Sequence, residues 1–241
     1  MRRALFLTAY NRPDYLAQTL ESWARVRGLG RWHIVFRVEP SDVQDEILSL
    51  IDAFEQKADL ASIETILNPE RYGVLHHPWV GFEDLFGHFD FVARTEDDLL
   101  VATDILEYLE WASEHFQFDA DVAAVLGYAS GEAGASAADV VVEQWFSPLV
   151  WGTWRHRWVD VIRDTWDHDY STFNGTPGNQ AGWDWNLNTR VLPSLGLLCA
   201  HPAVSRSNHI GVHGVHGTAE NFRITPSFVA DQPPVLYRAV R

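Results

Sequence analysis

Three stretches of this sequence carry residue types and spacings that suit chemistry. The first is Glu96-Asp97-Asp98, three adjacent carboxylates. Such neighbours repel one another. A divalent cation shared with phosphate oxygens relieves the repulsion, because hard cations prefer carboxylate oxygen. The second is Trp183-Asp184-Trp185. Two indoles exclude water from the acid between them and raise its pKa toward that of a usable general base. The third runs from Ser205-Arg206 to Gly217 and holds His209, His213 and His216 among glycines. Imidazoles there suit a transition metal or a phosphate, and the glycines allow close backbone approach. Each stretch also has a plain structural explanation: a solvated acidic turn, a helix-start aspartate between core anchors, and a glycine-rich turn.

Hydrophobic patterning places these groups on elements. Residues 4–9 (ALFLTA) read as a buried strand. Asn11 and Pro13 then open a helix with Leu16, Leu20 and Trp23 inward, ended by Gly28. Residues 32–38 are a second strand, and Ser41 opens an amphipathic helix with Val43, Ile47, Leu50, Ile51 and Phe54 inward. A third strand spans 62–67, a helix 79–87, and a fourth strand 89–95. The carboxylate triplet follows that strand, and Thr103 caps a helix over 103–115. Residues 122–126 are a further strand, and 130–140 a flexible surface loop. Strands alternating with helices predict an α/β fold with a mainly parallel sheet. In such a sheet ligands bind beyond the carboxyl ends of the strands. Thr8 to Arg12, Glu39 and Glu96 to Asp98 all fall there. The phosphate-binding glycine motifs of dinucleotide and P-loop folds are absent.

Composition narrows the class. The chain has 241 residues, 46% hydrophobic and 21% charged, which suits a soluble globular core. One cysteine excludes an internal disulfide and a cysteine-based zinc cluster. No apolar run is long enough for a membrane span, and Ala4 to Ala9 is too short for a signal sequence, so a cytoplasmic protein is expected. The net charge of −15 disfavours a phosphate backbone as partner. The charge is uneven: residues 1–143 carry 10 basic and 26 acidic groups (−16), and residues 144–241 carry 8 and 7 (+1). The chain reads as two halves fused into a single domain, a regular α/β half over 1–140 and a more irregular half over 141–241.

In its motifs the chain resembles GT-A-type glycosyltransferases. Thr8-Ala9-Tyr10-Asn11-Arg12-Pro13 with Leu16 and Thr19-Leu20-Glu21-Ser22 is similar to their opening strand and helix. Asn68 to Gly73, then Phe91 to Leu99, resembles their nucleotide-sugar stretch. The order of Glu96-Asp97-Asp98, Trp151-Gly152, Trp183-Asp184 and Ser205-Arg206 through Gly217 is similar to the N-acetylglucosaminyltransferase I family, and compact enzymes of bacteriophages that decorate their own DNA share this look. Trp185 departs from that family, which often has a second acid there.

The resemblance implies an inverting transfer from a nucleotide sugar, UDP-linked by expectation. Mn²⁺ or Mg²⁺ would be held by Asp98, with His213 or His216 completing the metal or pyrophosphate site. Thr8, Ala9, Tyr10, Arg12 and Glu39 would meet the nucleotide, and Arg94, Glu96 and Asp97 the ribose or sugar. Asp184 would deprotonate the acceptor hydroxyl. The acceptor is either a hydroxymethylated pyrimidine in DNA or a glycan or small molecule. A nucleotidyltransferase and a non-catalytic sugar-binding protein are the competing classes.

Overall fold

Side chains of the first strand pack alternately into two cores: Leu5, Leu7 and Ala9 into one, Ala4 and Phe6 into the other. A strand covered on both faces reads as one apolar run, which is what ALFLTA is. The computed structural model describes residues 1–131, 134–168, 182–211 and 227–241. It runs β1 (Arg3–Ala9), α1 (Pro13–Trp23), β2 (His33–Val38), α2 (Gln44–Lys57), β3 (Ser62–Leu67), α3 (Gly73–Phe86), β4 (Phe91–Glu96), β5 (Leu99–Val101), α4 (Ile105–His115) and β6 (Val122–Leu126). Then come β7 (Asp139–Glu143), β8 (Trp151–Trp154) and a helical stretch from α5 (Arg155–Arg157) to Thr165. α6 (Trp183–Asn186) runs on through a π-turn into α7 (Leu192–Leu195), followed by β9 (Leu198–Pro202), β10 (Ser207–His209) and β11 (Arg238–Val240).

Among the described residues nine strands form one sheet, in the order β11-β7-β9-β6-β8-β4-β1-β2-β3. The block β4-β1-β2-β3 is parallel throughout. β8 enters antiparallel between β4 and β6, so β6 and its parallel neighbour β9 point the same way as β4. Helices cover both faces, and the sheet is mixed and mainly parallel, as expected. β8 reaches that position because it carries Gly152: a Cβ there would lie 2.6 Å from the Phe91 ring and 3.0 Å from the Val92 carbonyl.

One core holds α1, α2 and α4, with Leu16, Leu20, Trp23, Ile47, Ile51, Phe54, Ile105, Leu106 and Leu109 inward. The other is aromatic. Phe82 lies 5.0 Å from Phe6, 4.7 Å from Trp151 and 4.9 Å from Trp158 by ring centroids. Trp166 stacks on Trp183 at 4.4 Å and 8°. This face carries many of the tryptophans that composition alone leaves without a role.

Several local expectations need correction. α3 begins at Gly73, six residues before the expected start, and carries Pro78 inside the helix. Pro78 has no N–H for the carbonyl of Val74, and the indole N–H of Trp183 donates to that oxygen at 3.3 Å. Asn11 does not cap α1; Arg12 holds the cap position, without a side-chain cap bond. Thr103 does not cap α4 either, since Asp104 is the cap residue and the Thr103 hydroxyl donates to the Gln232 carbonyl at 3.3 Å. Ser41 donates to the Tyr10 carbonyl at 2.8 Å, and α2 starts later, at Gln44. The 130–140 stretch is pinned where it is described: β7 opens at Asp139, and the Ala137 carbonyl accepts from Arg206 at 2.7 Å.

Candidate active site

The carboxyl ends of β1, β2 and β4 meet at one edge of the sheet, and the expected groups gather there. The triplet turn after β4 is clamped from α1: the Thr19 hydroxyl donates to the Asp97 carbonyl at 2.9 Å, and the Ser22 hydroxyl accepts from Val101 N–H at 3.2 Å. Asp97 and Asp98 are buried, at 3% and 2% exposure. Arg12, next to Pro13 at the start of α1, donates to Asp98 Oδ2 at 2.6 Å and to Asp97 Oδ1. Arg12 was expected at the uridine, but its guanidinium bridges these carboxylates.

The histidine beside Asp98 is His209, at 3.1 Å from Nε2 to Oδ2. The cause is strand pairing. β10 runs antiparallel to β5, with His209 opposite Leu99, and Ile210 N–H donates to the Asp98 carbonyl at 2.9 Å. His213 and His216, the histidines expected here, lie outside the described residues. Sequence reasoning noted His209 among the three histidines but assigned the site to His213 or His216; the signal for His209 was the polar-flanked Ser-Asn-His run directly after buried Ser205-Arg206. Arg206 fixes that run from below. It is fully buried and paired with buried Asp104 at 3.0 Å, and Tyr237 donates to the same carboxylate at 2.8 Å.

Burial, with Asp98 and Glu96 nearby, pushes Asp97 up to about 7 against the pull of Arg12. Burial also pushes Asp98 up, but the His209 hydrogen bond and the Arg12 charge outweigh it and leave Asp98 below its ordinary value. Burial opposes the charges of His209 and Arg12, yet the carboxylates hold both pKa values up.

The residues fit a divalent cation. Asp98 Oδ1 is buried and has no hydrogen-bond partner among the described residues. Gly211 leaves the adjoining space open: a Cβ there would fall 2.2 Å from Asp98 Oδ2 and 2.9 Å from His209 Nε2. A carboxylate and an imidazole suit Mn²⁺. Among the described residues no three His, Cys, Asp or Glu side chains converge on one point, so two protein donors would leave the remaining positions to phosphate oxygens and water.

The other expected residues surround this turn. Thr8 pairs in register with Glu96 and with Arg37. Ala9 is buried and its carbonyl accepts from Glu39 N–H at 2.9 Å. The Tyr10 ring is covered by the Arg71 guanidinium at 4.4 Å. Glu39 Oε1 accepts from the N–H groups of Tyr72 and Gly73 at 2.7 and 2.6 Å, so this carboxylate satisfies the start of α3. Burial, with Arg37 and Arg94 nearby, pushes His77 down to about 3 and keeps it neutral.

Asp184 lies in the first turn of α6, after Gly182 at φ 134°. Trp183 anchors that turn. It stacks on Trp166 and Trp151, and the two indoles Trp183 and Trp166 donate to the Val74 and Leu75 carbonyls of α3 at 3.3 and 2.7 Å. Trp183 is buried and Trp185 half-buried, so the wall beside Asp184 is largely one indole. Burial raises the Asp184 pKa against its own N–H and that of Trp185; Glu96 adds to the rise and Arg94 opposes it. Buried Arg94 ion-pairs with Glu96 and lies 5.3 Å over the Trp183 ring. The Arg94–Glu96 pair thus joins the triplet turn to the Asp184 turn. Of the nearby acids, Asp167 is buried at 4% exposure, Asp164 is exposed, and Asp169 lies outside the described residues.

No protein-family model matches this chain, and no curated protein matches it. Solved structures resemble it in fold. S. aureus TarS 1–349 aligns with a TM-score of 0.60 at 12% identity over 88% of this chain and 61% of that one. The TarS complex with UDP gives 0.59 at 12%, over 86% and 59%. The mannosyltransferase PcManGT from Pyrobaculum calidifontis, in complex with GDP-Man and Mn²⁺, gives 0.53 at 15%, over 85% and 57%. The chain spans about three-fifths of the length of these structures. The shared fold is the GT-A type. Among the described residues no helix is long and apolar enough to cross a membrane.

Proposed function

We propose that this chain is an inverting glycosyltransferase that moves a sugar from a UDP-sugar to an acceptor hydroxyl. One observation carries the reading: an aspartate–histidine pair, Asp98 and His209, with a buried carboxylate oxygen unpartnered among the described residues, stands at the turn of Glu96, whose charge acts on a separate, desolvated carboxylate, Asp184. The GT-A fold of the TarS–UDP and PcManGT–GDP-Man–Mn²⁺ structures supports it, as does the motif order shared with the N-acetylglucosaminyltransferase I family.

In this reading Asp98 and His209 hold Mn²⁺ or Mg²⁺, which when bound offsets the charge that develops on the departing diphosphate. Arg71, Tyr10 and the backbone of Thr8 and Ala9 position the nucleotide. Arg94 and Glu96 orient the transferred sugar. Asp184 accepts the acceptor's proton at a carboxylate oxygen as the hydroxyl attacks, because the alcohol is too weak an acid to ionise beforehand. Holding both reactants at fixed distance supplies much of the remaining acceleration. The protein works in the cytoplasm, on a hydroxymethylated pyrimidine in DNA or on a glycan or small molecule. The near-neutral half that carries Asp184 fits the first, and the overall charge of −15 fits the second.

The test is a parallel screen of UDP- and GDP-sugars, with Mn²⁺, on 5-hydroxymethylcytosine DNA and on a glycan panel. Incorporation from a UDP-sugar with inversion at the anomeric carbon, read by proton NMR, is expected. Binding without transfer or hydrolysis points to a sugar-binding protein. Pyrophosphate release from a nucleoside triphosphate and a sugar phosphate points to a nucleotidyltransferase.

A further inference from the structure

The Asp97–Asp98 turn already faces a cation, and that cation belongs to the protein. Arg12 spans the two carboxylates with separate nitrogens, Nη1 to Asp98 at 2.6 Å and Nη2 to Asp97. Its side chain keeps 31% of its exposure, whereas the carboxylates keep 4% and 3%. The guanidinium can therefore leave by rotation about its own bonds, and the carboxylates cannot. Asp98 offers the same oxygen, Oδ2, to Arg12 and to His209, while Oδ1 stays buried without a partner among the described residues. A divalent cation on Asp98 and His209 would sit at ion-pair distance from Arg12, where two positive centres repel strongly.

We propose that Arg12 is the resting counter-ion of this turn, and that it gives way to the divalent cation when a nucleoside diphosphate arrives to receive the guanidinium. The inference rests on the metal-dependent reading above. Without nucleotide, an incoming cation must strip Arg12 of both carboxylates and leave it to water. With nucleotide, the planar guanidinium can pair with two phosphate oxygens instead. Cation and diphosphate then bind cooperatively, and linkage makes the effect reciprocal.

Electron paramagnetic resonance titration of Mn²⁺ tests this on the wild-type chain, Arg12→Gln and Arg12→Lys, each with and without UDP. Wild-type protein should bind Mn²⁺ weakly alone and roughly tenfold or more tightly with UDP, within the usual range of coupling between sites. Arg12→Gln should bind Mn²⁺ alone roughly tenfold more tightly than wild type and gain less from UDP. It should also melt at a lower temperature and recover with Mn²⁺, because it leaves buried carboxylates uncompensated. Arg12→Lys keeps the charge but cannot span both carboxylates, so it should fall between the two; if Arg12→Gln does not fold, Arg12→Lys against wild type decides. Equal or weaker Mn²⁺ binding by the variants, with UDP coupling unchanged, overturns the exchange and leaves the metal reading intact. No Mn²⁺ binding by any of the three, with or without UDP, overturns the metal reading and the exchange with it.

Discussion

The two acidic turns joined by the Arg94–Glu96 pair use the same residue type to opposite ends. Asp98 is buried within hydrogen-bond distance of Arg12 and His209, and its pKa lies below the ordinary value. Asp184 is desolvated too, but among the described residues it is backbone N–H groups that reach it, with Arg94 and Glu96 acting from further off, and its pKa lies above. Burial acts upward on both. On Asp98 two direct partners, His209 and Arg12, outweigh burial, whereas on neighbouring Asp97 the contact with Arg12 does not. The first environment favours the ionised form of Asp98, as an anchor for positive charge requires. The second makes ionisation costly, and such a carboxylate takes up a proton readily.

Breaking the second environment should have the largest effect. Asp184→Asn keeps shape and hydrogen bonding but removes the proton acceptor, so kcat should fall roughly 10²–10⁴-fold, the usual scale for a lost general base. UDP affinity, measured by calorimetry, should stay as it was. Near-full turnover would make Asp184 a structural residue and end the comparison. His209→Gln attacks the first environment. Mn²⁺ affinity in the presence of UDP should drop on the order of 10–100-fold, the scale of partners that orient and tune a metal site. Unchanged affinity would move the ligand into the residues beyond Gly211.

The pH profile sharpens the contrast. Asp184 must be ionised to accept a proton, so kcat/KM should fall as pH drops through its raised pKa, at a higher pH than an ordinary aspartate gives. Glu96→Gln removes a negative neighbour and should move that limb to lower pH. Arg94→Gln removes a positive one and should move it to higher pH. Limbs unmoved by both substitutions would separate Asp184 from the triplet turn. The smallest effect is expected from Trp183→Phe, which loses the hydrogen bond to Val74. It should cost about 1 kcal/mol in denaturant unfolding, with KM for the acceptor raised and the metal dependence unchanged.

Much of this was legible in the sequence because it depends on local pattern. Buried β1, β2 and β4 give apolar runs, and the triplet follows β4 directly, so the positions of Glu39 and Glu96 to Asp98 could be placed by counting. His209 could not. Its approach to Asp98 depends on a three-residue strand pairing across more than a hundred residues, and no periodicity announces so short an element. The role of Arg12 was also hidden: a guanidinium at a strand end serves a phosphate or a carboxylate equally well, and only the burial of Asp97 and Asp98 favours the carboxylates. The start of α3 was set six residues late: the helix continues through Pro78, a breaker on average, where a partner arrives from residue 183.

That proline sets a trap for anyone engineering the protein. By helix propensity alone, Pro78 is the first residue in α3 to replace, since alanine is about 3 kcal/mol better in a helix interior. Alanine would also bring an N–H to the Val74 carbonyl, and the indole of Trp183 would then share an oxygen it now has without an in-helix rival. A change that strengthens the isolated helix would loosen the plug that seats α6, and with it the aspartate one residue further on. Stability and turnover are set against each other at a position that touches neither substrate.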